Sequence, residues 1–133
     1  MTLSLTSLDH LVLTVKDIDR TIAFYTETLG MTAEIFHPLD GTTRHALRFG
    51  SQKINLHPHR HEFSPKAATP CPGTADLCFL STAPLQDWLD HLAKLDISII
   101  EGPVPRTGAA GGLQSIYIRD PDGNLLEISN RRC

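Results

Sequence analysis

Ile116–Ser129, IYIRDPDGNLLEIS, is the stretch that decides how the chain is read. Ile116–Arg119 and Leu125–Ser129 read as two strands, and Asp-Pro-Asp-Gly between them is turn chemistry. Pro121 presets its own φ, and Gly123 accepts the positive φ of a tight reversal. On the second strand Leu126 and Ile128 point one way, and Leu125, Glu127 and Ser129 the other. A glutamate amid apolar residues is costly to bury unless something pairs with it. The candidates are a metal ion, an arginine such as Arg48 or Arg119, or a hydrogen-bond network.

Upstream, Leu8–Val15 reads as a strand with Leu11, Leu13 and Val15 on one face and His10, Val12 and Thr14 on the other. Asp17 suits the N-cap of a helix over roughly Ile18–Leu29, whose apolar face is Ile18, Ile22, Tyr25 and Leu29, with Gly30 to end it. Thr32–His37, Arg44–Phe49 and Lys53–His57 follow as strands. Pro58–Gly73 carries four prolines and no period, so it reads as a linker, long enough to act as a lid or binding loop. Thr74–Ser81 is again a strand, and Leu85–Leu95 is an amphipathic helix with Leu85, Trp88, Leu89, Leu92 and Leu95 on one side. Ser98–Glu101, Gln114–Arg119 and Leu125–Ser129 complete the order. Gly102–Gly112, rich in glycine and proline, reads as a flexible or strained loop.

The two halves therefore repeat a β-α-β-β-β order, over about residues 8–57 and 74–130. This is an α+β class, expected as a single domain over 1–133 with residues 58–73 joining the modules. Aligning the first strands pairs His10 with Asp76, and aligning the last pairs Asn55 with Glu127. Pseudo-twofold symmetry would turn all four towards one axis, and His57 points to the same face as Asn55. Imidazole and carboxylate together are a ligand set for Zn, Fe, Mn, Ni or Co. His10, Asp76 and Glu127 are candidate ligands. Asn55 is better suited to hydrogen-bonding a substrate or water, and His57 to ligation in its place or to general-base work. His59 and His61 read as solvated loop residues. Arg106 is a candidate clamp for a carboxylate or phosphate, and Tyr117 lines a cavity or packs in the core.

Composition bounds the rest. With 41% apolar and 20% charged residues and a net charge of −3, the chain can build a core and offers no electrostatic footprint for nucleic acid. No apolar run approaches a membrane span, and Met1–Ser7 is no signal peptide. Cys71, Cys78 and Cys133 lack zinc-finger spacing and are expected as reduced thiols in a cytoplasm, Cys78 in the core and Cys133 exposed. No phosphate-binding glycine loop or serine nucleophile elbow is present.

LDHLVLTVKDIDRTIAFYTETLGM (Leu8–Met31) and IYIRDPDGNLLEIS, set in such a repeat, resemble the vicinal oxygen chelate superfamily, also called the glyoxalase/bleomycin resistance/dioxygenase group. FGSQKINLH (Phe49–His57), FSPKAATPCPG (Phe63–Gly73) and EGPVPRTGA (Glu101–Ala109) look like the glyoxalase-domain proteins called virulence proteins. The resemblance implies two βαβββ modules forming a cup-shaped mixed sheet, helices outside, around a divalent metal. It sets the family's ligand positions on His10, Asn55, Asp76 and Glu127. It also implies a lyase or isomerase for a small vicinally oxygenated substrate, for example a glutathione hemithioacetal of methylglyoxal, in a homodimer. The metal would hold two adjacent oxygens and stabilise an enediolate while Glu127 or His57 takes a carbon-bound proton. Glyoxalase I usually has other ligand types at Asn55 and Asp76, and extradiol dioxygenases would want His at Asp76. The alternatives are a non-catalytic binding protein of the bleomycin-resistance type and a dioxygenase.

Overall fold

In the computed structural model, residues 2–132 are described, and Cys133 lies outside them. The element order is β1 (His10–Val15), α1 (Ile18–Glu27), β2 (Thr32–Phe36), β3 (Arg44–Phe49), β4 (Gln52–Pro58), β5 (Asp76–Leu80), α2 (Leu85–Lys94), β6 (Glu101–Gly108), β7 (Gly111–Arg119) and β8 (Leu125–Arg131). The chain divides into two compact units, Met1–Cys71 and Pro72–Cys133, so most of the connecting segment belongs with the first. Each unit is a βαβββ module of the α+β class, with one open four-stranded mixed sheet.

In the first unit the strand order is β1-β4-β3-β2, with β1 and β4 parallel and the other pairs antiparallel. Alternation sends Leu13, Val15, Leu47, Ile54 and Leu56 to the buried face. The helix α1 packs on β2, β3 and β4. Each such side chain, once fully buried, contributes about 1.5–3 kcal/mol. Asp17 caps α1 as its sequence position requires, accepting from the Arg20 backbone N–H at 3.1 Å. Beyond its end Gly30 sits at φ 72, its N–H bonded to the Thr26 carbonyl. The helix's buried stripe runs through Thr21, Tyr25 and Thr28, with Ile18, Ile22 and Leu29 only half-buried. The packed line is therefore turned from the apolar line drawn from the sequence, and two threonines take places in the core.

The second unit repeats the plan with the order β5-β8-β7-β6, β5 and β8 being parallel. Ile116 and Ile118 on β7, with Leu126 and Ile128 on β8, form its buried face with Leu85 and Leu92 of α2. The turn before β8 is built on a buried carboxylate. Asp120 Oδ1 accepts from the backbone N–H groups of Asp122 and Asn124, and Oδ2 from the Asn124 side chain at 2.8 Å. Gly123 stands at φ 88, as the reversal demands. Asn124 in turn accepts from the Ala75 N–H, tying the turn to the start of β5. The helix α2 has Pro84 at its N-cap and no cap of its own. Asn130, from β8, accepts the Leu85 N–H and donates to the Ser81 and Ala83 carbonyls.

Residues 102–112, read as a flexible loop, form most of a β-hairpin: β6 runs through Gly108, and Ala109–Ala110 turn into β7. Prolines 103 and 105 are tolerated because β6 is an edge strand, where missing N–H groups cost no central ladder bond. Ser98–Ile100, read as strand, lie outside any strand. Among the described residues no helix is long and apolar enough to cross a membrane.

Gly102 lies at the register shift in the pairing of β6 with β7, at φ 112, and a Cβ there would collide with the Ser115 carbonyl oxygen. Gly102→Ala should therefore cost about 3 kcal/mol in denaturant unfolding. Gly112→Ala, whose Cβ would meet only the Arg132 side chain at 3.7 Å, should stay within about 1 kcal/mol of the parent.

Candidate functional site

The parallel pairs place equivalent residues in equivalent registers. Asn55 lies opposite Val12 in the first unit, and Glu127 opposite Cys78 in the second. His10 and Asp76 each stand one alternation earlier, opposite Lys53 and Leu125, on the same open face as Asn55 and Glu127 respectively. The alignment of His10 with Asp76 and of Asn55 with Glu127 thus recurs in the pairing of each sheet.

In the first unit His10 is exposed, and its Nδ1 is 2.9 Å from Asp9 Oδ2. A carboxylate on one ring nitrogen orients the imidazole and leaves the other for a ligand. Asn55 Oδ1 is buried without a hydrogen-bond partner. A buried amide oxygen in that state costs free energy that a cation or a substrate hydroxyl would recover. His57 is 6% exposed and packs edge-on against Phe63, ring centroids 5.2 Å apart, while the Arg44 guanidinium lies over the Phe63 ring, 4.1 Å from its centroid. Burial pushes the His57 imidazole below its usual 6.5, Arg44 and Lys66 push the same way, and Glu62 opposes them. His59 is not the solvated residue read from the sequence: it is half-buried, its Nδ1 is buried, and its N–H continues the ladder to the Val15 carbonyl at 2.9 Å. His61 is exposed.

In the second unit Glu127 lies between Cys78 on β5 and Tyr117 on β7. Its Oε2 accepts from the Ser129 hydroxyl at 3.3 Å, and Ser129 also meets Ser115 at 2.7 Å and the Cys78 sulfur at 3.3 Å. Neither arginine considered from the sequence is the ion-pair partner of Glu127: Arg48 pairs with Glu34 at 2.9 Å, and Arg119 donates to the Gly123 carbonyl. A cavity of about 390 Å³ gathers Glu127 with Cys78, Arg106 and Arg131. Arg106 Nε donates to the Tyr117 hydroxyl at 2.8 Å, and its Nη2 to Glu101 at 3.1 Å. Arg106 and Tyr117, two of the three residues singled out for substrate contact, therefore meet, Arg106 from an edge strand rather than a loop. Burial raises the Tyr117 phenol above its usual 10, opposed by its bond to Arg106, so it keeps its proton. Asp76 is exposed at the start of β5 and does not line that cavity.

Cys78, expected in the core, is exposed on the open face. It follows Asp76 by two, so strand alternation turns both sulfur and carboxylate away from the helix side. Its thiol is nonetheless raised by partial burial, with the Ser129 hydrogen bond opposing and the Glu127 carboxylate adding to it. Ser115, unremarked in the sequence, and Ser129, placed there only on the Glu127 face, are found by the same alternation counted from Tyr117 and Glu127.

The chain belongs to the Glyoxalase/Bleomycin resistance protein/Dioxygenase superfamily, whose family profile matches residues 7–128. It is similar to a virulence protein of Salmonella typhimurium, 57% identical over 92% of this chain and 82% of that protein. It is also similar to a glyoxalase domain-containing protein of Mycosarcoma maydis, 54% identical over 96% of this chain and 70% of that one. An integron cassette protein from the mobile metagenome of V. cholerae has the same fold, with a TM-score of 0.93 and 49% identity, covering 99% of this chain and 100% of its own. Members of the superfamily bind small molecules and commonly use divalent metals.

Each unit by itself offers donor types suited to such a metal: in the first, His10, with one ring nitrogen oriented by Asp9, and the partnerless Asn55 oxygen; in the second, two carboxylates, Asp76 and Glu127, on one face. Within either unit, among the described residues, no three His, Cys, Asp or Glu side chains are grouped to hold an ion.

The depressed His57 pKa links folding to pH. The unfolded chain takes the proton near 6.5 and the folded one only at lower pH, so His57 favours the fold above about 6.5 and less as pH falls through that window. Chemical unfolding between pH 7.5 and 5 should show stability falling, and His57→Gln should flatten the slope.

Proposed function

We propose that the chain is a divalent-metal-dependent lyase or isomerase of the glyoxalase type, acting on a small vicinally oxygenated substrate such as the hemithioacetal of methylglyoxal and glutathione. The observation that carries this reading is the repeated register, which gives each sheet a polar pair on its open face, His10 with Asn55 and Asp76 with Glu127. His10, Asp76 and Glu127, with His57 or Asn55 as a further donor, would hold the ion. A divalent cation there supplies Lewis-acid polarisation of adjacent substrate oxygens.

The remaining work falls to side chains. His57, kept neutral by burial, or the Glu127 carboxylate accepts the carbon-bound proton. Arg106 and the protonated Tyr117, joined at 2.8 Å, bind and orient a polar or anionic end of the substrate. Ser129 positions Glu127 through its hydroxyl. The proposal has the protein acting as a cytoplasmic homodimer; two candidate ligands per unit and a Cys78 thiol outside any disulfide support it.

Metal analysis with an assay of hemithioacetal isomerisation tests this reading. Activity should disappear on chelation and return with Ni, Co, Mn, Zn or Fe, and Glu127→Gln should lower kcat by about 10²-fold or more. An unchanged kcat would remove Glu127 from the chemistry. Tight binding of the hemithioacetal by metal-free protein, without turnover, would mark a sequestering protein, and oxygen consumption with catechols a dioxygenase.

A further inference from the structure

The connecting segment does more than join two modules. After β4 it folds back on the first unit, its start fixed by the His59-to-Val15 bond and by a turn closed from the His61 N–H to the Pro58 carbonyl. Phe63 anchors it between the Arg44 guanidinium and the His57 ring. Beyond that anchor, Pro65, Lys66 and Pro70 wall a cavity of about 450 Å³ whose floor is Val12, Thr14 and His57. The walls are mostly apolar, and three hydrogen-bonding side chains line it: a hydroxyl, an imidazole and an ammonium.

The charges decide what it takes. Arg44 is committed to Asp40 at 2.7 Å and to Phe63, and does not line the cavity. Asp9 pairs with His10, Asp40 with Arg44 and Glu34 with Arg48, and Lys66 enters none of these ion pairs. Among the lining residues Lys66 is thus the single cation and none is a carboxylate, while the Glu62 carboxylate acts on His57 from the same segment without lining the cavity. In the second unit the equivalent strand positions, Cys78 and Leu80, also border a cavity, but its cations are Arg106 and Arg131 on strands. Lys66 has no counterpart in the repeat.

We infer that Lys66, Thr14 and His57 form a carboxylate-binding subsite for a short aliphatic acid group, the carbon chain lying against Val12, Pro65 and Pro70. Lys66 supplies the charge, and Thr14 and His57 can donate to the oxygens. The inference extends the proposed function by giving its substrate an anionic arm, and rests on that reading only for the link to turnover.

Butyrate and its neutral analogue butyramide, titrated into the full-length metal-free chain and followed by ¹H–¹⁵N spectra, test it. Butyrate should bind about tenfold or more tightly than butyramide, with shifts centred on Thr14, His57 and Lys66. Lys66→Gln, at an exposed position, should abolish the preference while leaving the rest of the spectrum in place. Thr14→Val should reduce it. Equal binding of the two probes, no binding of either, a preference that survives Lys66→Gln, or shifts centred on the second unit would each overturn the subsite. Neither probe needs metal or turnover, so failure of the lyase reading through Glu127→Gln leaves this result standing, and the converse also holds.

Discussion

Parallel pairing of the first and last strand is the constraint on which both units depend. A parallel pair cannot close through a tight turn, so the helix and two more strands must intervene between β1 and β4, and again between β5 and β8. The pairing also fixes which residues stand abreast. Once Val12 faces Asn55 and Cys78 faces Glu127, alternation hands one face of each sheet to the helix and gives the other the polar side chains. A slip of one residue would send Ile54 and Leu56, or Leu126 and Ile128, out of the core.

Much of this was legible because it is periodic. The two-residue alternation of Leu11–Val15 and Leu126–Ile128, the Asp17 cap and the Asp-Pro-Asp-Gly turn are local signals whose physics does not depend on distant residues. The alignment of the half-chains carried the polar pairs with it, since a repeat in sequence is a repeat in register. The misreadings have equally physical causes. Glycine and proline in residues 102–112 argue against a central strand, and β6 is not central: it pairs on one side only. Thr21 and Thr28 took core places that a hydrophobicity pattern gives to isoleucine.

Cys78 shows the limit from the other side. An apolar strand segment looks buried throughout, yet one face of β5 is open, and residue type alone does not say which. What the sequence conveyed least was the set of bonds made by partners far apart in number. Arg106 with Tyr117, Ser129 with Glu127 and Cys78, and Phe63 between Arg44 and His57 each need the fold to exist before they can be seen. They are also the contacts that set the electrostatics of the open faces.

The way α2 begins has a bearing on how the second unit assembles. Its first turn borrows an acceptor from Asn130, forty-five positions further along, because Pro84 offers no side chain for the task. Local preference alone leaves that end ragged, and only arrival of the final strand closes it. The helix end and the final strand are therefore coupled: what loosens β8 at Asn130 also uncaps α2.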